Sequence, residues 1–178
     1  MSVMAADFFV VPTVTYQLLF VLVILAHDRR RIVHVAVTDH PTAAWTAQHF
    51  RNAFPEDHAP RYLLHDRDAA FTDAVSTIGA MQIHEAVTAP RSPWQNAYVE
   101  RLIGSIRREC LDHVIVLSVA GLQRVLADYV AYYMNTRTHL SLGKDAPASR
   151  PIAPLSAGRI VEISQVNGLH HRYDRAAA

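Results

Sequence analysis

The chain has 178 residues, 51% of them hydrophobic and 19% charged, enough to close one domain around a substantial core. Its formal net charge of +1 neither favours nor excludes nucleic acid, although the basic residues are sixteen arginines and one lysine, Lys144, and the Arg fork suits bidentate phosphate contact. A single cysteine, Cys110, excludes an internal disulfide, the longest apolar run (Leu18 to Ala26) is too short to span a bilayer, and no basic-then-apolar leader opens the chain, so a cytoplasmic protein without membrane contact is expected.

In chain order, Asp7 to Val11 and Gln17 to Ala26 are β-rich runs joined at Pro12-Thr-Val-Thr15, which reads as a hairpin. Arg31 to Thr38 follows as a third antiparallel strand. The middle run, Leu18 to Leu25, is apolar on both faces, so both sides of the sheet need helical cover. The first helix is predicted over Ala43 to Phe54, with Trp45, Phe50, Ala53 and Phe54 toward the core. Arg61 to His65 reads as a short buried strand, followed at once by Asp66-Arg67-Asp68 and a helix over about 69–78. Met81 to Ala86 is the last predicted strand. A polar loop from Thr88, holding Pro90 and Pro93, then enters a helix whose Val99, Leu102, Ile103, Ile106 and Cys110 recur at helical spacing as a buried stripe. On another face Glu100, Gly104 and Arg107 fall within about 40° of one another, a ridge on which a phosphate backbone can come close. Ser118 to Asn135 is a further long helix with Leu122, Leu126, Tyr129 and Tyr133 on its buried side. The expected organisation is an α/β domain over residues 1–140, a mixed five-stranded sheet with helices on both faces, and an irregular C-terminal tail over 141–178 in which Arg159 to Ile163 makes a short strand.

Such a sheet puts Asp7 on the first, central strand, Asp66 at the C-terminal end of its neighbour and Glu100 on a helix packed over them. Each has a plainer reading: Asp7 as an edge residue near a frayed terminus, Asp66 as a helix N-cap, and Glu100 as a solvated glutamate favoured by the helix dipole. Brought together, three carboxylates call for compensation by a divalent cation, and oxygen-only ligands favour Mg²⁺ or Mn²⁺. Two such ions about 4 Å apart serve in-line displacement at a phosphodiester. The remaining candidates weigh less. His170-His171 lacks further ligands at metal spacing, His65 fits either a site or a strand end, and Trp94 and Tyr98 either stack on a base or pin their loop. Neither a nucleophile elbow nor a glycine-rich phosphate loop is present.

Asp7 on a first strand, Asp66 after a fourth, and Glu100 after 33 intervening residues, in the context Ser92-Pro-Trp-Gln-Asn96-Ala-Tyr-Val-Glu100-Arg101, resemble the integrase catalytic core of insertion-sequence transposases and retroviral integrases. The resemblance runs over nearly the whole chain. It implies a ribonuclease H-like fold and a DDE-type polynucleotidyl transferase in which Asp7, Asp66 and Glu100 bind two Mg²⁺ or Mn²⁺ ions, cut DNA at element ends and join the 3′ ends to a target. Arg107 occupies the family's basic position seven residues past the glutamate; with Arg108, Arg101, Asn96 and Arg91 it makes the expected DNA-binding set. The implied partners are DNA and further copies of the chain. Three departures stand out: Asp68 where many relatives have glycine, no helix-turn-helix region ahead of Asp7, and only six residues before Asp7, which leads to the expectation of a shortened first strand. The second leads to the expectation of a truncated or separately encoded core that works with an intact transposase or a separate helix-turn-helix protein, or a non-catalytic, DNA-binding or regulatory remnant.

Overall fold

The computed structural model describes residues 2–55, 59–72, 74–90 and 92–177. Its centre is a five-stranded mixed sheet, β1 (Val3–Pro12), β2 (Leu18–Ala26), β3 (Ile32–Thr38), β4 (Tyr62–His65) and β5 (His84–Val87), in the order β3-β2-β1-β4-β5. The first three strands pair antiparallel, and β1–β4 and β4–β5 pair parallel, so β1 is the central strand, as expected. Parallel pairing needs crossovers; α1 (Ala43–Ala53), α2 (Ala69–Thr72) and α3 (Val75–Ala80) supply them on one face. The other face is covered by α4 (Ala97–Glu109) and α5 (Val119–Asn135).

Alternation along the strands divides the core in two. Ala5, Phe9, Val11, Leu19, Val21, Val23 and Leu25 pack under Val99, Leu102, Ile106 and Cys110 of α4 and Leu122, Leu126 and Tyr129 of α5. Ala6, Leu22 and Ile24 face the other way, against Phe50, Phe54, Phe71 and Ile78. The doubly apolar β2 is thus buried on both sides. The stripe read along α4 is the observed one, and α1 and α5 are capped by Thr42, which accepts from Trp45 N–H, and Ser118, which accepts from Gly121 N–H.

Three elements differ from the sequence expectation. The helix read over 69–78 is two short pieces, with Ala74 N–H bonded to Phe71 O; this tighter turn lets Phe71, Ala74 and Ile78 all point into the core. The last strand begins at His84, not Met81, because Met81 and Gln82 close α3 and Gln82 takes a left-handed conformation. In the segment read as irregular, residues 141–158 hold only single 3-10 turns, but β6 (Arg159–Gln165) and β7 (His170–Ala176) form an antiparallel hairpin. Its turn inserts Val166, 4% exposed, into the α4–α5 core, His170 stacks on Tyr132 at 4.2 Å, and its ring Nε2–H donates to Glu109 O. Gly158 admits the chain to this hairpin, since a Cβ there would overlap the Ala176 carbonyl.

Candidate active site

Strand register delivers the first two carboxylates to one place. Ala5 pairs with Leu64, so Asp7, two residues on, reaches the level of Asp66, which directly follows β4. Asp7 has the parity of Ala5 and Phe9 and therefore faces α4, whose first turn carries Glu100. The three acids line one open cavity of about 490 Å³ together with Asp68, Thr88, Ser92 and Asn96. None of the plainer readings of Asp7 and Asp66 survives: Asp7 is central rather than at an edge, and the helix after β4 is capped by Asp68, whose Oδ1 accepts from Ala70 N–H at 2.8 Å, while Asp66 Oδ1 accepts from Asp68 N–H at 3.0 Å.

Four carboxylates, Asp7, Asp66, Asp68 and Glu100, share the cavity with one guanidinium, that of Arg67. Burial first, then the Asp66 carboxylate, push the Asp7 carboxyl up to about 7; Glu100 and Asp68 add to this, and the hydrogen bond from Phe8 N–H opposes it. A donor set of carboxylate oxygens suits a hard divalent cation in kind. Among the described residues, however, no three Asp, Glu, His or Cys groups are gathered closely enough to hold one ion, so the expected convergence is to a common cavity and not to a finished ligand cluster. Repulsion among like charges accounts for that spacing.

The basic residues are placed unevenly. Arg107 Nη2 donates to Val10 O at 3.1 Å with its guanidinium above Phe9, outside the cavity. The space over Gly104 is filled by the Arg108 guanidinium, so the ridge is closed where an open groove was expected. Arg101 is exposed on α4, and Arg91 lies outside the described residues. Asn96 is turned inward, 4% exposed, with Nδ2 donating to Ala6 O at 3.3 Å. Trp94 is 70% exposed, whereas Tyr98 is pinned beneath Arg30, 3.3 Å from its ring centroid. Two further residues shape the site: Gln95, to which the sequence assigns no role, and His65, which the sequence fits to either a site or a strand end. Gln95 Oε1 accepts from Ala89 N–H at 2.7 Å and folds the loop. His65, buried against Phe71, donates from Nδ1 to Asp66 O at 2.6 Å and brings Nε2 to 2.9 Å from Glu85, fixing the backbone on which Asp66 sits; its place beside Asp66 was the signal.

With this geometry the chain is similar to known DNA-processing domains. Residues 81–147 match the integrase core domain family. In three dimensions it resembles the HTLV-2 integrase catalytic core domain in complex with magnesium (TM-score 0.61, 12% identity, 83% of this chain and 93% of that one). The fold is that of an integrase core. A chain of the simian T-cell lymphotropic virus intasome in complex with PP2A regulatory subunit B56 gamma superposes with TM-score 0.65 at 12% identity over 96% of this chain and 65% of that one. The catalytic domain of Mos1 mariner transposase follows at 0.59, 17% identity, 72% of this chain and 69% of that one. In sequence, the insertion element IS476 uncharacterized 39.2 kDa protein of Xanthomonas euvesicatoria is 29% identical over 151 residues, 77% of this chain. The chain spans less than half of that relative, 44% of its length. The sheet order and two-sided helical cover are ribonuclease H-like, as the sequence led one to expect, and no described helix is long and apolar enough to cross a membrane.

Proposed function

We propose that this integrase core cleaves DNA at the ends of a mobile element and joins the 3′ ends to target DNA, using Mg²⁺ or Mn²⁺ held by Asp7, Asp66 and Glu100. The observation that carries this reading is the level register of Asp7 and Asp66 beneath Glu100, in a cavity where burial first, and then the neighbouring carboxylates, raise Asp7 to about 7. Bound there, the ions would supply Lewis-acid charge at a phosphodiester and make an attacking water or 3′-hydroxyl more acidic. Asp7 and Asp66, on adjacent strands, form the rigid side of the site, and Glu100, exposed on α4, the adjustable side. His65 holds the Asp66 backbone carbonyl, and the Asp68 backbone N–H holds the Asp66 carboxylate, through the bonds described above. Arg101, Arg107 and Arg108, on the outward side of α4, are the proposed contacts to DNA phosphates, with Arg91 of the preceding loop; Asn96, buried, is not among them.

The proposed working form is a homo-oligomer in the cytoplasm with DNA as partner, residues 1–140 being the catalytic unit and 141–178 its C-terminal extension. The solved relatives include an intasome chain and a dimeric integrase core, which supports the oligomer. Glu100→Gln is expected to lower metal-dependent cleavage of an element-end duplex by about three orders of magnitude, several kcal/mol of lost transition-state stabilisation, with thermal melting unchanged. Undiminished cleavage by that variant would defeat the proposal. A second reading, a non-catalytic regulator that pairs with an intact transposase, draws support from the absence of a finished three-ligand cluster among the described residues. It predicts DNA binding without cleavage under any divalent cation.

A further inference from the structure

Asn96 ends the short 3-10 turn Pro93–Asn96 and precedes α4, four residues before Glu100. Although 4% exposed, it lines the carboxylate cavity. Its two polar atoms have different fates. Nδ2 donates to Ala6 O, the carbonyl immediately before Asp7, across 90 residues of sequence. Oδ1 is fully buried and has no hydrogen-bond partner among the described residues. Turning the amide over would set Oδ1 against the Ala6 carbonyl, so the present orientation is fixed by that bond. A buried acceptor without a donor is costly, and persists at sites that a ligand completes. The other polar side chains of the cavity are the acids Asp7, Asp66, Asp68 and Glu100 and the donors Arg67, Thr88 and Ser92, and none of these donors reaches Oδ1.

Building on the proposed function, we infer that Asn96 is a positioning residue whose two ends do separate work. Nδ2 ties the start of α4 to β1 and so sets Glu100 against Asp7. Oδ1 waits for an O–H donor brought in by what binds among the carboxylates, either a water of a hydrated divalent cation or the 3′-hydroxyl of a DNA end. The residue read from the sequence as a DNA-phosphate contact is thereby assigned to the floor of the site.

Asn96→Ala removes both ends, whereas Asn96→Asp removes the donor and keeps an acceptor. Both variants are expected to melt at lower temperature, for the lost bond to Ala6. Ligand binding separates them. If the donor is water on the cation, calorimetric titration with Mn²⁺ alone gives about tenfold weaker binding for Asn96→Ala, the size of one hydrogen bond, and no loss for Asn96→Asp. If it is the hydroxyl, Mn²⁺ binding is unchanged, but fluorescence anisotropy shows wild type and Asn96→Asp preferring a duplex with a 3′-hydroxyl over its 3′-deoxy counterpart, and Asn96→Ala indifferent. Should Asn96→Ala fail to fold, Asn96→Leu fills the same space without either polar atom. Binding that falls in parallel in both variants, or in neither arm, overturns the role of Asn96. Asp66→Asn is the control: Mn²⁺ binding at wild-type strength in that variant defeats the proposed function itself, while its loss there, with both Mn²⁺ binding and the 3′-hydroxyl preference retained in Asn96→Ala, defeats only this inference.

Discussion

Two buried titratable residues, Asp7 and His34, pull the protein's pH dependence in opposite directions. The Asp7 carboxyl, raised to about 7, contributes stability that is complete below about pH 3.9, its unfolded value, and is lost as pH rises through 7. His34 meets His49 at 2.8 Å between ring nitrogens, and burial, then His49, depress it to about 4. Its contribution is complete above about pH 6.5 and is lost as pH falls through 4. Across the window between, the two slopes offset each other. Asp7→Asn is therefore expected to leave a protein that melts higher than wild type at pH 8 and loses stability on acidification below about pH 6.5. His34→Gln is expected to leave the reverse, stability falling from pH 4 to 7. Melting curves for the two variants that run parallel to wild type between pH 4 and 8 would contradict both assignments.

At the level of elements, α4 is held at both ends by contacts distant in sequence. Asn96 ties its start to β1, and Glu109, at its other end, receives two short bonds from Arg137, at 2.6 and 2.7 Å, and one from the Tyr129 hydroxyl at 2.8 Å. Burial pushes the Glu109 carboxyl up, but these bonds outweigh it and hold it below the ordinary range, while the Arg137 guanidinium is raised in turn. Arg137→Ala strands a partly buried carboxylate and is expected to cost about 2–4 kcal/mol in urea unfolding. Arg137→Lys recovers less than half, because the fork is lost. These ties mark the limit of what the sequence discloses. The α4 stripe, the strands β1 to β3 and the acids on them were legible, because burial on one face leaves a period in the sequence. The partners of Asn96 and Arg137 were not, lying 90 and 28 residues away with no periodicity to reveal them. Of the β6–β7 hairpin, β6 was legible in part, as the short strand Arg159 to Ile163, while β7 and the pairing were not: neither strand is buried, so no clean alternation marks the ribbon.

For the whole molecule, the hairpin is an addition anchored at its turn end, by Val166 and by His170 against Tyr132 and Glu109. A two-stranded ribbon is marginal alone, and this one relies on Val166, which enters the core with φ of 50°, a costly conformation for a β-branched residue. Val166→Asp is expected to release residues 159–176 to limited proteolysis while the sheet and α1–α5 stay protected. Simultaneous digestion of the whole chain would show instead that hairpin and core unfold as one unit.

The central position of β1 has a further consequence, one of timing. β1 leaves the ribosome first and β2 soon covers one of its edges, but the partner for its other edge, β4, emerges only after β2, β3 and α1. At about 5–20 residues per second, a strand reading Phe8-Phe-Val-Val11 stands with one bare edge for some seconds. An ionised carboxylate in such a strand repels a second copy laid alongside it, as gatekeeper charges do. Asp7 thus guards the nascent chain against aggregation before there is any site for it to serve.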